Sequence, residues 1–318
     1  MNQSREFLAS LGYPAGDLYS LPRSEKRFPD GAQYRVELPS VEGPAALRAT
    51  LEEAERYGLT IHRVSQGSGI MLLTDEEIQE MCSLCASRGI ELSLFVGPRG
   101  GYDIGPLPLT PSGKALGVRH EGADQLVYAM EDLRRGASLG LRGALVGDEG
   151  LLLLTREMKR GGLLPSDFVI KCSVQMMASN PVSVKLMQDL GADTYNLPTA
   201  LSLPKLAAIR QATDIPLDLY VEVPDTFGGF IRHYEIAELI RILAPVYVKF
   251  GLRNHPDVYP SGIHLEAANV GLAKERVRRA KLGLDLLRRY DPEAVMSEPG
   301  ADGLGVPKPT SEEGRQEG

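Results

Sequence analysis

The residues that could do chemistry in this chain are charged side chains set inside short apolar runs. Glu222 lies in 217–223 (LDLYVEV), Lys249 in 246–250 (VYVKF) and Glu37 in 34–38 (YRVEL). A carboxylate held near an amine in a low-dielectric setting suits proton transfer. Glu222 could then be a general acid or base, its pKa tuned by Lys249. Lys249 could hold an anionic group, or form a Schiff base if its own pKa falls. Glu37, a third candidate catalytic group, could share a divalent ion with Glu222 and a substrate oxygen. Arg63 and Arg99 would hold negative charge, while Gln66, Gln175 and Asn196 would orient a polar substrate. Gly228, Gly229 and Gly251, with Arg253 nearby, suit a phosphate or carboxylate cradle, although tight turns alone also call for glycine. The bland alternative is that these charges pair with one another as a structural network.

Several elements must position these groups. Apolar runs that read as strands start near Gln33, Ile61, Glu91, Gly143, Phe168, Thr194, Leu217 and Val246. The stretches between them can hold a helix and two short loops, as parallel strands require. Eight such units are the count of a closed (β/α)8 TIM barrel, an α/β fold. A doubly wound open sheet is the alternative, but no Gly-x-Gly-x-x-Gly follows the first strand. Alternation places Leu217, Leu219, Val221 and Val223 on one face of the seventh strand and Asp218, Tyr220 and Glu222 on the other. By the same rule Arg35, Glu37, Lys171, Asp218, Glu222 and Lys249 point to the barrel axis, where charge must be paired. Glu37, Gln175, Asn196, Glu222 and Lys249 fall late in their strands, at the end where barrels collect catalytic groups.

The helices carry their own signatures. Thr74 with Glu77 forms a capping box, and Asn180-Pro181 marks a helix start. Cys82 and Cys85 join Ile78 and Met81 in one apolar stripe, which fits core packing better than a metal motif. The last helix has a stripe of Val277, Ala280, Leu284 and Leu287, while Arg276, Arg278, Arg279, Arg288 and Arg289 read as its solvated face. A long stretch, roughly Arg99 to Gln125, follows the third strand as a lid-like insertion. Residues 1–30, broken by Pro14, Pro22 and Pro29, read as an N-terminal extension. Residues 31–291 form the barrel, and 292–318, rich in Gly, Pro, Ser and Glu, read as a disordered C-terminal tail.

Composition sets the outer limits. The chain has 318 residues, 43% hydrophobic and 24% charged, enough for a large core. A net charge of −7 and a pI near 5.4 argue against nucleic acid and anionic membranes as partners. No apolar run approaches the ~20 residues that span a bilayer, and no basic-then-apolar leader opens the chain. With three cysteines and no leader, the expected compartment is the cytoplasm. The five histidines lack ligand spacing such as His-x-x-x-His, and no Gly-x-Ser-x-Gly elbow is present. The expected partner is a small-molecule substrate, with no dedicated metal site; a bound divalent ion and a homo-oligomer stay open.

The segment Cys172 to Asn180 (CSVQMMASN) contains Ser-x-Gln-x-x-x-x-Asn. It is followed by a helix ending in Leu190-Gly191-Ala192, a Leu201-Ser202-Leu203 helix start and the Glu222-bearing strand. This series resembles the middle of the collagenase-like peptidase family U-32. The resemblance implies a TIM barrel with Ser173, Gln175, Asn180 and Glu222 facing substrate, and a hydrolase by family label. Some members of that family carry an iron–sulfur cluster on cysteines that follow the Glu-bearing strand. Here Pro224 to Ile231 has none, and three cysteines cannot make a four-cysteine site within one chain, so no cluster is expected. The function expected is a divergent U-32-like enzyme acting on a small polar or anionic substrate at the C-terminal face of the barrel. The alternatives are a lyase or isomerase on a small carboxylate or phosphate compound, and a non-catalytic ligand- or partner-binding barrel.

Overall fold

The structure, a computed structural model, describes residues 1–106, 110, 111, 113 and 117–309. Its eight strands are β1 (Tyr34–Leu38), β2 (Arg63–Gln66), β3 (Glu91–Phe95), β4 (Gly143–Val146), β5 (Val169–Cys172), β6 (Thr194–Asn196), β7 (Leu217–Glu222) and β8 (Val246–Phe250). They are parallel and close in the order β1 to β8, with β8 back on β1. Each apolar run read as a strand is a strand of this barrel.

The helices pack outside. They are α1 (Asn2–Ser10), α2 (Pro44–Tyr57), α3 (Asp75–Ala86), α4 (Gly122–Ser138), α5 (Glu149–Arg160), α6 (Pro181–Leu190), α7 (Leu203–Ala212), α8 (Ile236–Leu243) and α9 (Glu266–Tyr290). Their ends follow the expected chemistry. Thr74 and Glu77 close a capping box on α3, and Asn180 accepts from the Ser183 N–H at the start of α6. One continuous core joins helix stripes to the outward strand residues Val36, Val64, Leu92, Ile170, Leu219 and Val248. Cys82 and Cys85 are fully buried in it, and burial pushes the Cys82 thiol up to about 12. Among the described residues, no helix is long and apolar enough to cross a membrane.

Two features depart from simple alternation. Between β7 and β8, Tyr220 pairs with Lys249 but Glu222 pairs with Phe250, so β7 carries one extra residue. This bulge inverts every side chain beyond it. The other is the end of the chain. Residues 292–309 are not the free tail expected from composition. They cross the N-terminal end of the barrel, where Ser297 N–H bonds Tyr34 O (3.1 Å) and Gly305 N–H bonds Glu91 Oε2 (3.1 Å). Arg35 donates to Ser297 Oγ (2.9 Å) and to Asp302 O (2.7 Å). The reason is physical: the barrel floor holds buried charges, and this segment's polar groups satisfy them. Residues 310–318 of the expected tail lie outside the described residues. So do 107–109, 112 and 114–116 of the Arg99–Gln125 insertion. Its described part turns at Gly100–Tyr102 and seats Val118 on Phe95 and Leu145, over the β3–β4 side of the mouth.

Candidate functional site

The axis of the barrel is filled by charge. Arg63 donates from Nε to Glu91 (2.6 Å) and from Nη1 to Asp218 (3.1 Å) and Glu37 (3.3 Å). Lys171 bonds Glu37 Oε1 and lies 3.4 Å from Asp218 Oδ2. Ser65 Oγ also donates to Glu37 Oε1 (2.8 Å), and Lys249 Nζ stands 3.2 Å from that same oxygen. Three cations, Arg63, Lys171 and Lys249, thus meet three carboxylates, Glu37, Glu91 and Asp218, all of them buried. Burial alone would push the Glu37 carboxyl up, but Lys171, Lys249 and Arg63 overcome it and hold the acid well below its usual range. Burial, helped by repulsion from Lys249 and Arg63, draws Lys171 down to about 8 against the pull of Glu37 and Asp218. The bland expectation, a structural ion network, describes this lower stack well.

Above it the C-terminal mouth is built by β1, β2, β7, β8 and α9. Lys249 Nζ lies 4.3 Å from the centre of the Tyr220 ring. The loop after β8 folds back over this corner. Tyr259 OH bonds Ser40 Oγ, and the Ser261 N–H bonds Ser68 Oγ (2.8 Å). Gly67 makes room for it: a Cβ there would stand 2.4 Å from the Tyr259 ring. Glu42 is held by the Gly67 N–H (2.7 Å), the Ser68 N–H (3.2 Å) and Ser68 Oγ (2.5 Å). Burial raises its pKa against those bonds. Arg276 also enters this corner, 1% exposed, with Nη1 on Ser40 O (3.0 Å). The solvated-face reading of the last helix is therefore wrong for Arg276. The residue falls in register with the buried stripe Asn269, Ala273, Ala280, Leu284 and Leu287, a signal present in the sequence.

Glu222 is not where alternation put it. The bulge turns it to the outer face, beside Phe250, instead of toward the axis. Its Oε1 accepts from the Arg253 backbone N–H (3.1 Å), and Oε2 lies 3.4 Å from Arg279 Nη1 and 3.5 Å from His233 Nε2. The last distance is too long for a good hydrogen bond, and His233 Nε2 has no hydrogen-bond partner among the described residues. Burial pushes the Glu222 carboxyl up, but His233, the Arg253 N–H and Arg279 together hold it below its usual value. His233 also lines a cavity of about 610 Å³ with Thr199, Ser202, Phe230, Arg232 and Leu286. The expected Glu222–Lys249 pair does not form, because the two side chains leave the sheet on opposite faces. For the same reason Glu37 and Glu222 cannot share a divalent ion. Among the described residues, no group of three or more His, Cys, Asp or Glu could hold a metal.

The other candidate residues divide by place. Asn196 faces the axis, buried; its Oδ1 has no partner among the described residues, and neither do Ser93 Oγ and Thr194 Oγ1 on the same lining. Ser173 is buried at the end of β5 and accepts from the Gln175 N–H (3.2 Å). Gln66 closes its own loop through Gly69 O (3.3 Å) and Gly69 N (3.0 Å). Arg99 binds Gly67 O (2.8 Å) and Ser68 O (3.0 Å), and stacks 3.9 Å over Phe95, so it ties loops together. Asn180 is exposed and caps α6. Arg253 reaches outward to Asp225 (2.9 Å). The mouth thus gathers Lys249 and Glu37 from the sequence-derived set and adds Tyr220, Tyr259 and Arg276. Cys82 and Cys85 lie inside α3 packing and Cys172 on the outer face of β5, so these thiols do not fit an iron–sulfur site.

No curated protein matches the chain. Among solved structures, the U32 peptidase Mk0906 is 18% identical over 64% of this chain and 74% of its own, with a TM-score of 0.41. A truncated 3-deoxy-D-arabino-heptulosonate 7-phosphate synthase from Thermotoga maritima is 13% identical over 88% of this chain and 99% of its own, with a TM-score of 0.44. The family model of peptidase family U32 matches residues 120–223, the stretch that supplies Lys171, Ser173, Asn196, Asp218 and Glu222. Over those residues, about a third of the chain, this closed (β/α)8 barrel is similar to peptidase family U32.

Proposed function

We propose that the chain is an enzyme working at the C-terminal mouth of its barrel on a small anionic substrate. The observation that carries this reading is the place of Lys249 at the top of the charged stack. Among the described residues its one ionic contact is Glu37 Oε1, which already receives Lys171 and Ser65. An ammonium has three donors, so Lys249 keeps capacity for a ligand. The unpartnered oxygens of Asn196, Ser93 and Thr194 add polar anchor points on the same axis. The U32 match supports hydrolysis as the first reaction class. Lyase or isomerase chemistry is the alternative, since among the described residues no Ser or Cys side chain is bonded to a histidine. Soluble binding without turnover draws support from a different observation: apolar groups cover parts of the mouth, Val118 on one side and Val174, Val223, Phe227 and Phe230 on the other.

The test is a panel of small carboxylates and phosphate esters, read by melting temperature and by mass spectrometry for conversion. Ligands that stabilise the protein and are converted, with both effects lost in Lys249→Met, are the expected result. Stabilisation without conversion would move the chain to the binding reading. Conversion unchanged in a folded Lys249→Met would remove the mouth as the site.

A further inference from the structure

Arg276 differs from every other cation near the mouth. It is 1% exposed, yet Nε and Nη2 have no partner among the described residues. Only Nη1 is engaged, on Ser40 O (3.0 Å). Glu42 is near but does not neutralise it: the two make no ion pair within 4 Å, and both Glu42 oxygens face Gly67 and Ser68. The two unpartnered nitrogens are not arbitrary. Nε–H and Nη2–H lie along one edge of the guanidinium and point in parallel, the arrangement that matches the two oxygens of a carboxylate. Leaving such an edge buried and unmet opposes burial of the charge, so the site is built for something that fills it.

A second observation lies on the same helix face. Asn269 stands seven residues earlier, two turns along α9, and is also 1% exposed. Its Nδ2 donates to Ser261 Oγ (3.0 Å), while Oδ1 has no partner among the described residues. Helical side chains lean toward the N-terminus, so the Arg276 head group extends toward the turn below Asn269. The Tyr259–Ser40 and Ser261–Ser68 bonds hold the β8–α9 loop over this corner, and Tyr220 lies against Lys249 and within electrostatic reach of Arg276.

We infer that the Nε/Nη2 edge of Arg276 is a carboxylate subsite, which receives the acid group of the substrate while its body extends over Tyr220 to Lys249. Asn269 Oδ1 offers an acceptor to a hydroxyl or amino donor on that ligand. This rests on the reading of the mouth given above and narrows its substrate to a small carboxylic acid. The same chemistry has two sources, a free organic acid or the C-terminal carboxylate of a short peptide.

The experiment uses the full chain labelled with 15N at arginine Nε. Acetate and lactate serve as free acids, Ala-Ala as a peptide acid, Ala-Ala amide as its uncharged counterpart, and inorganic phosphate as the competing anion. A saturable downfield shift of the Arg276 Nε–H with acetate, lactate or Ala-Ala is expected, the peptide arm separating the two sources. Ala-Ala amide should leave the resonance in place. The resonance is assigned by its loss in Arg276→Lys, which keeps the charge, loses the fork, and should weaken carboxylate binding at least about tenfold. If that variant does not fold, the resonance is assigned by its loss in Arg276→Met, and the titration of the parent protein decides. No saturable shift with any acid, or a shift with phosphate alone, overturns the inference. Lys249→Met separates the two readings. Carboxylate shifts at Arg276 that persist there while conversion is unaffected count against the mouth reading only. Lys249-dependent binding with a silent Arg276 counts against the subsite only.

Discussion

Two buried arginines teach opposite lessons. Arg63, at the barrel axis, has its guanidinium directions filled: Nε and Nη2 by Glu91, Nη1 by Asp218 and Glu37, with its face 3.6 Å over Tyr247. Arg276, on the inner face of α9, has one carbonyl and an open edge. Both are fully buried, so burial alone does not separate architecture from function. What separates them is whether the protein supplies the partners. A matched charge holds the barrel together, and an unmatched one waits for a ligand.

The largest effect that could break this contrast comes from removing the matched charge. Arg63→Met leaves Glu91 and Asp218 buried with too little positive charge, and should cost about 3–5 kcal/mol, as broken buried ion pairs do. Arg276→Met gives up one bond to Ser40 and relieves two unmet donors, so its unfolding free energy should stay within about 1 kcal/mol of the parent. Urea unfolding of the two variants side by side measures the difference. Equal losses would mean that Arg276 is structural and that the open edge carries no meaning.

A second effect tests how the stack is closed from below. His62 accepts the Val36 N–H at Nδ1 (3.0 Å), so Nε2 carries the proton and bonds Ser297 O (2.8 Å). Burial draws its pKa down to about 4, from 6.5 in the free side chain. The folded state therefore binds fewer protons than the unfolded one between those values. Stability is full above 6.5 and is lost as pH falls toward 4, by about 3 kcal/mol in total from this residue. His62→Gln keeps one acceptor and one donor but does not titrate. Its stability profile between pH 4 and 6.5 should be flatter than the parent's by that amount. An identical acid limb in the variant would assign the loss to carboxylates and free the chain end from this latch.

Much of this was legible in the residues. Apolar runs at crossover spacing locate all eight strands, and the capping signals of Thr74 and Asn180 locate two helix starts. The inward charges Arg35, Glu37, Lys171, Asp218 and Lys249 follow from the period of two. The failures have specific causes. The bulge in β7 is one extra residue, and no residue type in LDLYVEV marks it, so Glu222 was placed on the wrong face. Arg276 was hidden by its type: an arginine in a helix reads as solvated, though its spacing from Ala273 and Ala280 places it on the buried stripe. The chain end was misread because Gly, Pro and Glu suggest solvation by composition. Its docking depends on backbone groups that satisfy Arg35 and Glu91, and composition does not encode that.

The smallest expected effect is the sharpest test of the corrected face. Had Glu222 paired with Lys249 on the axis, Glu222→Gln would leave a buried ammonium unpaired and cost several kcal/mol. In the structure Glu222 instead meets Arg253 N–H, Arg279 and His233. Gln keeps an oxygen for the Arg253 N–H, and Arg279 is 30% exposed and retains Glu275 at 2.7 Å. The lost attraction is therefore partly screened by solvent, and the cost should be about 1 kcal/mol or less. The Lys249–Glu37 contact, 3.2 Å long on the other face, should be unaffected, so ligand binding that depends on Lys249 should survive the change. Chemical denaturation gives the first quantity and the same ligand panel gives the second. A loss of several kcal/mol would return Glu222 to the axis. A small loss of stability with abolished conversion would instead make Glu222 and its neighbour His233, which lines the 610 Å³ cavity, the working acid–base pair and shift the chemistry from the mouth to its outer rim.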